Sequence, residues 1–315
     1  MTVTPYGDAD KEAWNHFVRN SKNGTFLFIR EYMEYHRDRF EDASVMIWDD
    51  RDRLLAVLPC TRVGDRIETH SGLTYGGFVT DTRMTCPIML RVIDQVLAHF
   101  REHHVSQLVY KAVPHIYHRY PAEEDLYGLF RCGATLYRRD VTTTVRPAQL
   151  LPMQDRRVRG VKKAQARSVR CQQSNDLDAF WDVLEVNLWE RHHKQPVHTR
   201  QEISLLHERF PEEISLHAAF EGHELLAGVI VYDTPMVAHA QYIAGSAKAR
   251  ERGALDALFT HLLTEVFRHK CWFDFGVSTE SEGTIVNEGL LGFKEGFGGR
   301  TILYDTYRVV SKERE

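Results

Sequence analysis

The sequence contains few cysteines, and none of them form a pair. Five cysteines are scattered over 315 residues without any C-x-x-C spacing, which argues against a disulfide framework or a cysteine zinc site and is typical of a reducing cytoplasm. The longest apolar runs are a few residues, far short of the roughly 20 needed to span a bilayer. The first residues carry neither a basic nor an apolar segment, so we expect no secretory signal. These absences predict a cytoplasmic protein without a transmembrane segment.

Neither sign of charge dominates. The 40 Lys and Arg residues face 44 Asp and Glu residues, for a net charge of −4, so we expect no DNA partner. Low-complexity segments and short repeats are also missing, which excludes solenoids and propellers. Hydrophobic residues make up 43% of the chain, as in an ordinary protein with a substantial core.

The chain divides near its middle. Two prolines in the segment 146–152 break both helical and strand periodicity, which predicts domains over 1–150 and 151–315. Each half has a helix pair, an antiparallel meander, a long helix and a strand, although the last helix of this order is clear only in the second half. We predict a mixed α/β fold. The main predicted helices cover 8–19, 25–40, 88–100, 176–190, 199–208, 254–267 and 287–293.

A turn rich in small and basic residues follows a predicted strand over 237–243. The turn, residues 245–255, opens a helix, so free backbone N–H groups and the positive end of the helix dipole meet there. Such a place can hold a phosphate. An ordinary helix start would have the same pattern.

The same turn carries a family motif. Arg250–Gly253 fits the first four places of R/Q-x-x-G-x-G/A, the pyrophosphate loop of the GNAT acyltransferases, and Leu255 stands at the second small position. The second half resembles that superfamily. The resemblance implies an acyl-CoA co-substrate, with no tightly bound cofactor. It implies these cofactor-binding residues: Arg250, Arg252, Gly253 and Ala254.

A second motif points to the FemABX branch of the superfamily. Residues 273–280 and 287–290 resemble its strand, polar turn and helix, and residues 289–300 match its G-L-x-x-F-K-x-x-F-G run. In FemX-type transferases the Phe-Lys pair lies at the reaction centre. The resemblance therefore implies that Phe293 and Lys294 are catalytic, with the lysine stabilising the oxyanion. It further implies tandem GNAT-like domains, each a mostly antiparallel mixed sheet flanked by helices.

Two carboxylates near these motifs are candidates for the general base. Asp274 lies on a short apolar strand and Glu280 in the turn beyond it. Burial would raise the pKa of such a group toward a useful value. Either residue could instead cap a turn or pair with an arginine, and Lys294 could be a solvated lysine at a helix end.

A local basic run contrasts with the acidic balance of the chain. Seven cations and no acid occur within residues 156–170. Lys162, Lys163 and Arg167 could hold a phosphorylated substrate, the phosphates of coenzyme A or tRNA. The alternative is a solvated helix face.

Two further segments suggest substrate contacts. Three histidines lie within residues 191–198, but no carboxylate completes a ligand set and Lys194 adds repulsion, so we expect no metal site. We expect a substrate-facing loop there that includes His193. The glycine-rich segment 71–78 places Tyr75 either beside a ligand or in a simple turn.

The sequence therefore predicts an acyltransferase that forms an amide. The donor would be an acyl-CoA, and the acceptor a small-molecule amine or nucleotide-linked compound such as an amino sugar or a cell-envelope precursor, which would place the protein in cell-envelope biosynthesis. Two alternatives remain open. One is a FemX-type peptidyltransferase that uses aminoacyl-tRNA, and the other is a GNAT-like binding protein without catalysis.

Overall fold

The computed structural model describes residues 1–310, except for the side chains of Arg191 and His192. No helix in this part of the chain is long and apolar enough to cross a membrane. The α-helices are α1 (Lys11–Asn20), α2 (Arg30–Met33), α3 (Cys86–Glu102), α4 (Glu124–Arg131), α5 (Asp155–Ala166), α6 (Leu177–His192), α7 (Arg200–Arg209), α8 (Ala247–Arg252), α9 (Ala254–His261) and α10 (Glu288–Glu295).

The strands are short in the first half and longer in the second. They are β1 (Thr2–Pro5), β2 (Glu41–Asp42), β3 (Val45–Trp48), β4 (Leu54–Leu58), β5 (Thr61–Val63), β6 (Arg66–Glu68), β7 (Val79–Thr80), β8 (Gln107–Lys111), β9 (Thr135–Val145), β10 (Arg170–Ser174), β11 (Ile214–Glu221), β12 (Glu224–Asp233), β13 (Val237–Gly245), β14 (Trp272–Val277), β15 (Thr279–Glu280), β16 (Ile285–Val286) and β17 (Arg300–Val310).

The chain forms two compact units, each of discontinuous segments. Unit 1 consists of Met1–Asp140, Ser281–Thr284 and the chain from Leu303 on, and unit 2 consists of Val141–Glu280 and Ile285–Ile302. Strands β9 and β17 each contribute one segment to each unit. The observed division is therefore less simple than the expected one at residues 150 and 151, because both of these long strands begin in one unit and end in the other.

Both units combine antiparallel neighbours with one parallel pair. In unit 1, β1, β3, β4 and β7 form one antiparallel group, and the parallel pair β6 and β8 is separated in sequence by α3. In unit 2 the strand order is β10-β11-β12-β13-β14-β9, and only β13 and β14 are parallel, with α8 and α9 between them in sequence. The predicted fold class is thus confirmed.

Local sequence explains where the helices of unit 2 begin. Asp176, Thr199 and Asn287 accept hydrogen bonds from backbone N–H groups of the first turns of α6, α7 and α10. Thr199 forms a reciprocal capping box with Glu202, which pairs two otherwise unsatisfied donors.

Each unit buries its own apolar core. In unit 1, α3 packs its apolar face on residues of β3, β4 and β8. In unit 2, α9 packs on β11 and β12, and its Phe259 ring contacts Phe273 and Phe275 of β14. The aromatic centre of that second core consists of Phe259, Phe273, Phe275 and Phe297.

Most predicted elements of the second half are present within a few residues. The predicted helix over 25–40 is wrong, since residues 26–36 form three short helical segments. Arg30 stabilises this interrupted helix because its buried guanidinium forms ion pairs with Glu34 and Asp42 and lies over the Tyr6 ring. The sequence also gave no clear signal for α4, the last helix of the first half.

Gly253 joins α8 to α9 and is held closely by α5. Its φ of +68° lies in the left-handed region, and a Cβ there would stand 2.2 Å from the carbonyl oxygen of Gly160. Two glycines therefore allow the backbones of α5 and the α8–α9 junction to touch.

We expect Gly253→Ala to destabilise the protein by about 2 kcal/mol or more, because backbone strain and a steric clash add. Thermal unfolding measures the loss. Gly222→Ala is the matched control, since Gly222 has a φ of +64° and nothing within 4 Å of its would-be Cβ. Equal losses for the two variants would contradict the close approach of Gly160.

Candidate functional site

A buried carboxylate connects three strands of unit 2. Asp274 on β14 has no exposed surface. Its Oδ1 accepts hydrogen bonds from the Thr142 hydroxyl of β9 and, at 2.9 Å, from the Gly276 N–H. Its Oδ2 lies 2.9 Å from Nδ1 of His239 on β13. Charge-assisted bonds of this kind are what makes a buried carboxylate tolerable.

His239 faces the side of the sheet opposite the α9 core. Its neighbours Ala238 and Ala240 both belong to that core, and successive side chains of a strand alternate between faces. The His239 side chain is 10% exposed. Its Nε2 makes no hydrogen bond to any residue that the structure describes.

Lys294 of α10 lies beside this network. Its Nζ donates to the carbonyl oxygens of Gly276 at 2.7 Å and Val277 at 2.8 Å, and the residue is 2% exposed. Burial lowers the pKa of Lys294 from 10.5 to about 8, while the Asp274 carboxylate opposes part of that shift. Lys294 is therefore not a solvated lysine at a helix end.

The parallel strands separate immediately after this cluster. They pair only from Val237 to His239 on β13 and from Trp272 to Asp274 on β14. Gly276 then has a φ of +80°, and the pairing of β14 with β9 is irregular between Asp274 and Val277. Beyond His239 no pairing of β13 with β14 occurs among the described residues, so this edge of β13 keeps backbone N–H and C=O groups that an extended ligand could use.

Phe293 lies next to Lys294 in sequence but belongs to the core side. It packs at right angles on Phe297 at 5.3 Å, and the Arg157 guanidinium lies 4.8 Å from its ring centre. Arg157 also pairs with Asp256. Phe293 therefore packs on the core side of α10.

Glu280 has an exposed side chain. Its Oε1 accepts a hydrogen bond of 2.8 Å from the Asn287 amide, the residue that caps α10. Glu280 belongs to β15, which lies between β14 and α10 in the chain.

The residues of the predicted phosphate-binding turn differ in how accessible they are. Arg250 is exposed, whereas Arg252 pairs with Glu221 at 2.9 Å. Gly253 and Ala254 are buried, and the carbonyl group of Gly160 lies against Gly253. Leu255 packs partly buried against the core of unit 2, and its Cδ1 atom lies 3.4 Å from the position of a Cβ on Gly245.

The basic run forms α5 and the turn that follows it. Its members divide by contact: Arg156 bonds the Gly292 carbonyl and Arg170 the Gly222 carbonyl. The exposed cations without a hydrogen bond or ion pair in the described part of the chain are Arg159, Lys162, Lys163 and Arg167. On α5 the first three lie within about 100° of one another, so they form one basic face.

The last two predicted substrate-binding residues, Tyr75 and His193, are far in sequence from His239, Asp274 and Lys294. Tyr75 is 2% exposed in unit 1 and donates to the Thr25 hydroxyl at 3.1 Å. His193 ends α6 with a φ of 49° and contacts the Trp189 ring at 5.6 Å. Within the described residues no group of three His, Cys, Asp or Glu side chains could hold a metal ion.

Sequence reasoning missed His239. The residue lies in an otherwise apolar strand, and its partner Asp274 is 35 residues further along. Only the parallel register, in which the two are paired directly, brings them together. A histidine alternating with alanines on a buried strand was the one available signal.

Comparison with known proteins agrees with this geometry. Residues 154–284 match the model of the acetyltransferase (GNAT) domain. This stretch begins just before α5 and ends in the turn after β15. No curated protein matches the chain.

Solved structures extend the likeness to both units. A crystal structure of FemX is similar with a TM-score of 0.68 at 12% identity, covering 98% of this chain and 97% of that one. The C-terminal domain of a putative lysylphosphatidylglycerol synthetase from Agrobacterium fabrum gives 0.62 at 11%, covering 98% and 93%. A tandem GNAT protein from the clavulanic acid biosynthesis pathway gives 0.53 at 11%, covering 100% and 99%.

Residues 154–284 therefore form a GNAT domain, and the chain has a fold similar to those of FemX and of a tandem GNAT protein. At these identities the solved structures establish the fold alone. The resemblance drawn from the sequence motifs is confirmed at that level.

The lowered pKa of Lys294 predicts a pH-dependent stability. Because the folded pKa of about 8 lies below the usual 10.5, the unfolded chain binds more protons between these values. From pH 8 to 10.5 the free energy of unfolding of the parent should rise relative to Lys294→Met by about 3 kcal/mol. Urea unfolding at several pH values measures this, and parallel curves for the two proteins would contradict it.

Proposed function

We propose that the protein is an N-acyltransferase, in which unit 2 transfers an acyl group from a CoA thioester to the amine of a small-molecule or nucleotide-linked acceptor. One observation carries the proposal. The parallel strands β13 and β14 separate at the point where His239, Asp274 and Lys294 meet, within the segment that matches the acetyltransferase domain or just beyond it.

The opening between the strands suits an acyl thioester. Coenzyme A ends in an extended chain with two amides, which can pair with the open edge of β13 as an added strand does. The thioester carbonyl would then lie near the end of the parallel pairing, beside Gly276 and Lys294.

Lys294 is suited to stabilise the oxyanion of the tetrahedral intermediate. Two of its three ammonium protons are used by the carbonyls of Gly276 and Val277, which fix the position of Nζ and leave one proton for a ligand. Because Lys294 is buried, where the effective dielectric constant is low, its ammonium group interacts more strongly with a developing negative charge than it would in water.

The turn after β13 supports coenzyme A as the donor. Leu255 packs partly buried against the core of unit 2, as an ordinary helix residue does. Arg250 is exposed on the preceding turn and is suited to a phosphate. Arg252 and Gly253, which are occupied by Glu221 and Gly160, would support this turn instead of touching the donor.

A second donor, aminoacyl-tRNA, is favoured by the basic face of α5. Arg159, Lys162 and Lys163 are exposed and form no ion pair with residues that the structure describes, and such a basic face suits a phosphate backbone. This alternative keeps the same acceptor chemistry. In the CoA reading, the same cations would hold the phosphates of a nucleotide-linked acceptor.

Titration of acetyl-CoA into the protein tests the donor. We expect a dissociation constant near 1 μM, equivalent to about −8 kcal/mol, and a loss of about tenfold for Arg250→Gln. Arg268→Gln is the control, since Arg268 is also exposed in unit 2 and lies outside the turn. If the donor is aminoacyl-tRNA, acetyl-CoA does not bind. In that case, neutralising Lys162, Lys163 and Arg167 should reduce the steepness with which tRNA affinity falls with salt. The reduction should correspond to the loss of about three phosphate contacts.

Amide formation tests the reaction itself. The protein is incubated with acetyl-CoA and either glucosamine or L-lysine, and the products are measured by mass spectrometry. Lys294→Met should lower kcat by about 100-fold. The matched control is Lys111→Met, because Lys111 is also a buried lysine with a pKa of about 8, and it donates to loop carbonyls of unit 1. Equal turnover for Lys294→Met and its parent would remove the oxyanion role.

A further inference from the structure

We propose that His239 is the general base of the transfer and that Asp274 positions it. This inference rests on the proposed acyl transfer and names a residue that no sequence motif marks. His239 would be a catalytic residue, and Asp274 a positioning residue that acts through it.

The hydrogen bonds of Asp274 determine which nitrogen of His239 can act as a base. A carboxylate oxygen only accepts, so the Oδ2 atom at 2.9 Å requires the proton of His239 on Nδ1. The bonds from Thr142 and Gly276 to the other oxygen favour the ionised carboxylate. The lone pair of the imidazole is therefore on Nε2.

The Nε2 atom is available to a substrate. It has no partner among the described residues, and the ring reaches the surface where β13 and β14 separate. A Cβ added to Gly276 would lie 3.5 Å from Cε1 of His239, so the ring stands directly beside the glycine whose carbonyl holds Lys294. His239 and Lys294 thus both lie against Gly276.

The other candidate bases are less suited. Asp274 has no exposed surface and cannot touch an acceptor. Glu280 points into solvent and is held by Asn287. His239 alone among these combines a free acceptor atom with a place at the end of the strand pairing.

The reaction balances with His239 as proton acceptor. The neutral amine attacks the thioester carbonyl, forming the C–N bond and an oxyanion. His239 Nε2 removes one proton from the attacking nitrogen. When the oxyanion collapses, the C–S bond breaks and coenzyme A leaves as a thiolate, which takes the proton from the imidazolium or from water. The products are the amide and free coenzyme A.

The charged and titratable groups that face His239 belong to three elements. They are Asp274 on β14, Lys294 on α10, which interacts electrostatically with Asp274, and Tyr232, the register partner of His239 on β12. Activity should fall at acidic pH, because a protonated imidazole has no lone pair to accept the proton of the amine.

The first measurement needs no substrate. Nitrogen-15 NMR assigns the His239 tautomer, with the His239→Asn protein identifying its signals. We expect the Nδ1–H form at high pH and a change of these signals in Asp274→Asn. A predominant Nε2–H form in the parent would overturn the proposal.

The second measurement is the pH profile of amide formation with acetyl-CoA. His239→Asn keeps a donor for Asp274 but has no base, so kcat should fall by about 10²–10³-fold and the acidic limb should disappear. Asp274→Asn should lower kcat and leave KM for acetyl-CoA unchanged. His217→Gln is the control, a histidine of similar burial on β11, and should retain the parent profile.

The outcomes separate the two proposals. Parent activity with an unchanged acidic limb in His239→Asn would overturn the base and leave the acyltransferase standing. A parent that neither binds acetyl-CoA nor forms an amide would overturn the proposed function, while the tautomer measurement would still decide the arrangement of His239 and Asp274.

Discussion

The organisation of unit 2 depends on how one buried carboxylate is compensated. An ionised carboxylate in an apolar interior costs several kcal/mol unless donors surround it. Asp274 obtains donors from β9, from β13 and from its own turn. Removing any one of them would leave a charge poorly solvated. The same bonds that make Asp274 tolerable therefore hold three strands in one register and fix the imidazole that projects toward the opening.

The separation of β13 and β14 follows from the same residues. A parallel pair would normally continue, but Gly276 takes a left-handed conformation and directs its N–H back to Asp274. Its carbonyl, with that of Val277, would be left unpaired by this turn, and Lys294 satisfies both. A buried lysine is costly, which explains its lowered pKa. Each polar group in this turn is thus required by another.

The sequence predicted the fold and part of this site for different reasons. Local signals gave the elements of the second half, because capping residues such as Asn287 and apolar periodicity act over a few positions. Lys294 and Asp274 were found because they lie in or near continuous motifs. His239 could not be found in that way, since its role depends on a register between strands 35 residues apart. The division at residue 150 also differed, because the paths of β9 and β17 are set by tertiary contacts and leave no local mark.

The two units share an architecture, and comparing them explains why the chemistry is assigned to the second. Each has a parallel pair joined through helices, and three residue pairs define the register in both. The third pair is His239 with Asp274 in unit 2 and Glu68 with Val109 in unit 1. Glu68 accepts a hydrogen bond from Ser71 and pairs with Arg66, so the equivalent place in unit 1 stabilises a loop. A buried lysine, Lys111, also donates to loop carbonyls there. A buried lysine by itself therefore stabilises a loop, as Lys111 does in unit 1. The proposed catalytic role of Lys294 in unit 2 requires in addition a base such as His239 close to it.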